Sequence, residues 1–501
     1  MKILLIALCV CIISCEQKQS ENDPADFEYT ESEGKITITK YIGSIKDIRI
    51  PAKIDGLPVV AIGDDACAYN ELTSVIIPNT VTHIGENAFF GNNKLTNITI
   101  PNSVTHIGAQ AFYQNQLTSV TLPKSLVYIG GGAFNINKLT KVTIPNSVTH
   151  IGNRAFFSNQ ITKVTIPKSV THIGYQAFYK NRLTSITLPA NVDIHYDSFY
   201  LSLYDKYVKN GKKKSSFAIS LSTVDDFKIA VLDDSVFEII EYNGKVENVI
   251  IPEKINGASV IAIGYQAFIN GHLTNITIPN SVIHIGEMAF FSNNLTSVTI
   301  PDAVTFIGDE AFHYNQLTSV TILDSVTHIG DEAFRYNQLT SVTLPDNVDI
   351  DASSFYVSLY DKYVKNGKKK STFAISLSTV DNFEIAILDD SILEITGYND
   401  KIVEDIIIPE RIHGLPVVFI GYRAFSYFER LASVTIPNSV TYIGTRAFFY
   451  NRLTSITIPN SVTHIGDQAF FYNRLTSVTI PSSVTHIGDR VFDNDVEIIR
   501  Q

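Results

Sequence analysis

The chain has no tryptophan, two methionines and four cysteines in 501 residues. Tyrosine and phenylalanine, at 24 and 29 copies, must therefore supply its large rings. It lacks positive charge as well. The formal balance of −11 argues against a general phosphate-binding role, and so against nucleic acid, which asks for a net basic footprint. The apolar run Ile3 to Ile13 falls short of the roughly 20 residues that cross a bilayer. There is no H-E-x-x-H, no G-x-S-x-G and no glycine-rich phosphate loop. The lysine run Lys209 to Lys214 has Lys206 where a phosphate loop needs glycine. Serines and histidines are many, but they recur evenly, whereas an active site breaks a pattern locally. An enzyme, a metal and a cofactor are all unexpected.

What is present is a phrase that keeps returning. Residues 117–134 read LTSVTLPKSLVYIGGGAF and residues 453–470 read LTSITIPNSVTHIGDQAF. Phe112, Phe134, Phe156 and Phe178 follow one another at steps of 22 residues. Phe290, Phe312 and Phe334 do the same, as do Phe448, Phe470 and Phe492. A fixed period of this size marks a solenoid, in which a lone coil cannot bury enough surface to fold and stacking supplies the rest. Fourteen Ile-Gly signatures fall into groups of six, four and four, from Gly63 to Gly174, Gly264 to Gly330 and Gly421 to Gly488. Ser202 to Ser235 nearly duplicates Ser358 to Ser391 at a displacement of 156 residues, so whole modules were copied too.

These patterns predict a mostly β solenoid in three modules, with short helical segments between them. The expected boundaries are 1–14 signal peptide, 15–26 flexible tether, 27–225 first module with a helical C-terminal segment, 226–381 second module built likewise, and 382–501 third module. Each module opens on a stretch that reads as a β-hairpin (Phe27 to Pro51, Phe227 to Pro252, Phe383 to Pro409), whose role would be to cap an apolar coil end. In the intervening segment, Phe199, Leu203 and Tyr207 recur at helical spacing, Asp197 or Ser198 is the candidate N-cap, and Asn210-Gly211 the stop. Those helical segments favour articulated modules over one continuous solenoid.

Ile12-Ile13-Ser14-Cys15 resembles a bacterial lipobox, which implies cleavage before Cys15 and lipidation of it. Loss of Lys2 would then take the charge to −12. Cys9 and Cys11 leave with the leader, and Cys67 stands where other coils have the core Phe, so it reads as a small buried residue.

Within a coil, Leu117, Val120 and Leu122 fit the L-x-x-L-x-L strand of a leucine-rich repeat. Pro123 ends the strand, and Gly130 reads as a positive-φ turn residue. The phrase L-T-S-[VI]-T-[IL]-P-x-S-V-T-x-I-G-x-x-A-F resembles the BspA-like class of leucine-rich repeats over about Phe27 to Phe492. Many members carry Cys after Ala-Phe, where this chain has Asn115, Asn137, Asn159 and Asn181. The resemblance implies a cell-surface adhesin or antigen that binds host matrix or plasma proteins. A structural or antigenic envelope lipoprotein without a dedicated ligand is the alternative.

Four recurrent positions need separate readings. His83, His106, His150, His172, His284, His328, His464 and His486 share one place with Tyr128, Phe306 and Tyr442, so the place wants a ring. Stacked imidazoles there resist joint protonation, and depressed pKa values are expected. Thr99, Thr121, Thr143, Thr165 and Thr187 suit solvated strands. Asn115, Asn137, Asn159, Asn181, Asn315, Asn337, Asn451 and Asn473 suit turns. The residues after each core Phe are the least constrained by architecture. Tyr179, Arg182, Tyr314, Arg335, Tyr336, Tyr450, Arg452, Tyr472 and Arg474 are candidate partner contacts, because Tyr and Arg dominate binding hot spots. The expected partners are extracellular or surface proteins, with the membrane reached through the lipid at Cys15, on the outer surface of a bacterial envelope. Polyanion contact by Lys209 to Lys214 or Lys365 to Lys370 is the weaker option beside a solvated helix end.

Overall fold

The computed structural model describes residues 21–195, 197–232 and 236–500. Cys15, the expected leader and most of the expected tether lie outside them. The chain forms a mostly β solenoid that divides into two compact units. Among the described residues one comprises 21–195, 197–199 and 204–218, the other 200–203, 219–232 and 236–500, so the second and third sequence modules share a unit.

Each coil has three hydrogen-bonded sides. One is a ladder of two-residue strands in parallel register: His83 pairs with His106, His106 with Tyr128, Tyr128 with His150 and His150 with His172. The second is the Ser-Val-Thr strand, as where Lys163–Thr165 pairs with Ser185–Leu188. The third is the Ala-Phe turn, where Phe112 N–H donates to the Ala133 carbonyl and Phe134 N–H to Ala155, each at 2.8 Å. The Phe rings stack coil on coil, 5.2 Å apart between Phe112 and Phe134. Proline opens a tight turn after most of these strands, with Leu126 N–H donating to the Pro123 carbonyl at 3.1 Å. Cys67 is buried, as expected, and burial pushes its thiol up to about 12.

The glycine of Ile-Gly has a different reason from the one expected. Its φ is not positive. The backbone of the preceding coil lies where its side chain would be: a Cβ on Gly108 would sit 2.5 Å from the Gly85 carbonyl carbon. Left-handed backbone falls two residues later instead, at Gln110, Gly132 and Arg154, with φ between +52° and +63°.

The hairpins are present with one register in all three copies. Phe27 pairs with Tyr41, Phe227 with Tyr242 and Phe383 with Tyr398, and a bulge follows the second pair each time. The first hairpin has the character of a cap: beyond Phe27 its outer strand, Phe27–Ser32, is exposed and polar. The third is not a cap. In Phe383–Leu388, Ala386 and Leu388 pack into the core of residues 229–375, while Phe383, Ile385 and Ile387 pack into the core that runs to Val491. The strand is a wall with a core on each side, because side chains alternate across a strand.

The helices are α1 (Leu201–Lys209) and α2 (Val357–Lys365). Asn366 and Gly367 end α2 as a Schellman motif, with Lys368 N–H donating to the Tyr363 carbonyl and Gly367 N–H to Val364. The expected N-caps of α1 do not serve. Ser198 donates its hydroxyl to the Ile173 and Gly174 carbonyls, and Asp197 lies four residues ahead of the helix. Tyrosine hydroxyls fasten both helices, Tyr207 to the Pro189 carbonyl and Tyr363 to Pro345. Among the described residues no helix is long and apolar enough to cross a membrane.

Candidate functional site: a ladder of tyrosine and arginine

The turn that follows most core Phe residues runs Phe, edge residue, left-handed residue, Asn. The Asn is the fastening. Asn473 donates to the Phe448 and Phe470 carbonyls at 2.9 and 2.7 Å and accepts Leu453 N–H at 3.1 Å. A turn fixed this tightly holds its preceding residue in left-handed backbone and aims that side chain outward. In the first three coils of the third module this residue is tyrosine: Tyr427, Tyr450 and Tyr472 have φ of +61°, +57° and +58°. Left-handed backbone costs a non-glycine residue about 1–2 kcal/mol, and a bulky ring is not what the turn itself prefers. The three rings are 50, 56 and 54 % exposed, with centroids 5.6 and 5.9 Å apart. Arg452 and Arg474 follow the Asn residues and are also exposed. Tyr450, Arg452, Tyr472 and Arg474 line one groove of about 580 Å³ with Glu429 and Asp493 at its sides.

The other candidates separate by register. Tyr314 and Tyr336 occupy the left-handed place, are exposed, and stack 4.6 Å apart. Arg182 is exposed. Tyr179 and Arg335 are not surface residues, being 3 and 4 % exposed. They stand one place earlier, in the edge position that Phe449 and Phe471 fill in the third module, and that position points beneath the coil rim. Tyr427 escaped the sequence reading. Its coil carries one extra residue, Phe428-Glu429 standing where the others have Asn alone, and this hid the match with Tyr450.

Arg335 belongs to a buried cluster inside the second unit. Its Nη1 donates to the Phe355 carbonyl at 2.8 Å and stands 3.5 Å from Glu394 Oε1, and its Nη2 reaches the Tyr422 carbonyl at 3.4 Å. Glu394 is fully buried and accepts the α2 amide of Ser358 on Oε2 at 2.9 Å, a carboxylate on a helix N-terminus. Nearby, Glu310 and Glu332 approach Arg423 and Arg446. Burial first, and Glu332 second, push the Glu310 carboxyl up to about 7, and burial also raises Glu332. His313, with Nδ1 3.4 Å from Glu332 Oε2, is held down at about 4 by burial.

The signs of these shifts oppose each other. A carboxyl raised in the folded state costs stability as pH rises from about 4.5 to 7, whereas a histidine lowered in the folded state costs stability as pH falls below about 6.5. Above pH 6.5 only the carboxyls act. The urea midpoint of the second unit should therefore fall between pH 6.5 and 8, with Asp331, pushed up to about 8 by burial, adding to the fall, and Glu310→Gln should flatten it in part. An unchanged slope in the variant would assign it to other groups.

The histidine ladder holds its expected place. His83 stacks on His106 at 5.1 Å and His464 on His486 at 4.3 Å, and burial, then His486, lowers the His464 pKa. The lysine runs meet acids: Lys212 lies near Asp193, Lys365 on Asp361 and Lys370 on Asp324. Among the described residues no group of three His, Cys, Asp or Glu comes together as metal ligands would.

The family model described as BspA type leucine-rich repeat region matches residues 60–187, 132–210, 233–360 and 393–500. A leucine-rich repeat protein of Treponema pallidum is 32 % identical over 32 % of this chain and 78 % of its own, with a TM-score of 0.31. A leucine-rich cell surface protein of Faecalibacterium prausnitzii is 28 % identical over 66 % of this chain and 90 % of its own, with a TM-score of 0.34. The pneumococcal vaccine antigen PcpA is 19 % identical over 85 and 93 %, with a TM-score of 0.35. A search of the curated proteins finds no significant match. The recurring Pro, Gly and Ala-Phe, each now with a place in the coil, and the family match over most of its length make this chain a member of the BspA-type leucine-rich repeat family.

Proposed function

We propose that the protein is a non-enzymatic surface scaffold that binds extracellular proteins, anchored by lipid at Cys15 to a bacterial envelope and turned outward. The observation that carries the reading is the row of exposed tyrosines kept in left-handed backbone, a place that smaller polar residues fill with less strain. Strain retained on a surface points to use of that surface. Tyrosine brings large contact area at low entropic cost, and arginine brings directed charge. Several coils offering similar contacts gain avidity without one tight site. Family membership supports the coarser part of this reading, a leucine-rich repeat surface protein.

The test is capture of matrix and plasma proteins by the recombinant mature chain. The Tyr450→Ala/Tyr472→Ala variant should lose at least about tenfold in affinity, as hot-spot tyrosines do. Equal capture by the variant would remove the ladder from the binding surface. No saturable binding to any protein would favour a spacer without a ligand. The anchor is tested separately, because Cys15→Ser should move the protein from the membrane to the soluble fraction.

A further inference from the structure

Resting on that reading, we infer that the third-module groove takes an extended acidic segment of a protein, with carboxylates on one face. The first argument is charge. Some surface cations of this chain find an anion, as Lys228 finds Glu241 and Lys365 finds Asp361. Arg430, Arg452 and Arg474 do not: all three are exposed, and among the described residues none makes an ion pair or side-chain hydrogen bond. Two acids line the groove, Glu429 and Asp493, and the second is already used. Asp493 accepts the backbone amides of Tyr472 and Asn473 at 3.1 and 3.0 Å on its two oxygens. A planar guanidinium left open in this way matches a carboxylate through two parallel hydrogen bonds.

The second argument is spacing. The arginines recur once per coil, and the tyrosine centroids beside them are 5.6 and 5.9 Å apart. Alternate side chains of an extended peptide lie about 6.6–6.8 Å apart on one face. A peptide lying along the ladder therefore brings a carboxylate near each successive arginine, within the reach of that long side chain. The third argument is ring orientation, which selects peptide over polysaccharide. Tyr450 and Tyr472 are at 71° to each other and Tyr427 and Tyr450 at 35°. The rings form a row of edges and faces, not the flat platform on which sugars stack.

The test titrates the mature chain with labelled peptides alternating Glu and Thr, and with Gln/Thr and Lys/Thr counterparts, followed by fluorescence anisotropy. Saturable binding of the Glu peptide alone is expected. It should weaken about tenfold in Arg452→Ala/Arg474→Ala, and weaken as salt rises to about 0.15 M. Both arginines are exposed and unpaired, so an unchanged urea midpoint verifies that the variant folds. Equal binding of the Gln peptide, an unaffected arginine variant, or saturable heparin binding without peptide binding would each overturn the inference. If protein capture depends on Tyr450 and Tyr472 while the Glu peptide does not bind, this inference fails and the binding surface stands. If capture ignores those tyrosines, the surface itself is wrong.

Discussion

Replacing Arg335 with alanine should lower the stability of the second unit by about 3–5 kcal/mol, the cost of leaving a buried charge without its partner. Glu394 is fully buried, and its carboxylate has the Ser358 amide on one oxygen and the Arg335 guanidinium by the other. Removing the guanidinium also strips the Phe355 and Tyr422 carbonyls of a donor and takes a cation from between the Tyr356 and Tyr422 rings, 5.5 and 5.8 Å away. Urea unfolding gives the loss directly. Adding Glu394→Gln should recover part of it, since the amide keeps an oxygen for Ser358 and carries no charge. A loss below about 1 kcal/mol, or a double variant weaker than the single one, would mean that water or rearrangement already compensates the carboxylate.

Asn137→Ala should be nearly as costly in the first unit, about 3 kcal/mol. The Asn137 amide donates to the Phe112 carbonyl at 2.8 Å and the Phe134 carbonyl at 3.2 Å, while its oxygen accepts Leu117 N–H at 3.1 Å. All of these groups are buried, and alanine satisfies none of them; each orphan costs about 1–3 kcal/mol. Asn137→Asp restores the acceptor but not the donors and should be no better. Hydrogen exchange at Leu117 provides a local readout. If its amide stays protected in the alanine variant, a water has taken the place of the side chain.

Most of the fold was legible because the chain repeats itself. A position filled by Phe, Pro, Gly or Asn in coil after coil must answer to the coil, and Asn137 did what its turn required. The reasons were less legible than the positions. Gly108 was readable as obligatory, but nothing in one coil's sequence reveals that a neighbour's backbone passes 2.5 Å from its missing Cβ. The ladder of Tyr450, Arg452, Tyr472 and Arg474 was visible as departure from the phrase. Tyr179 and Arg335 were misplaced because a one-residue shift within the turn reverses inside and outside, and composition cannot tell the two places apart. Glu394 was invisible: its partners lie 59 and 36 residues away, at Arg335 and Ser358, and only the folded chain brings them together.

The double-sided strand Phe383–Leu388 puts inheritance and folding out of phase. The sequence repeats at a displacement of 156 residues, and Phe383–Leu388 answers to Phe227–Leu232 in that repeat. The core that begins at Ile229 ends on one face of this second copy of the strand. No cut between the two modules leaves both cores whole: ending the chain before Phe383 opens the earlier core, and starting it after Leu388 opens the later one. Duplication at this junction therefore added a lodger that shares a wall, and neither household can move out alone.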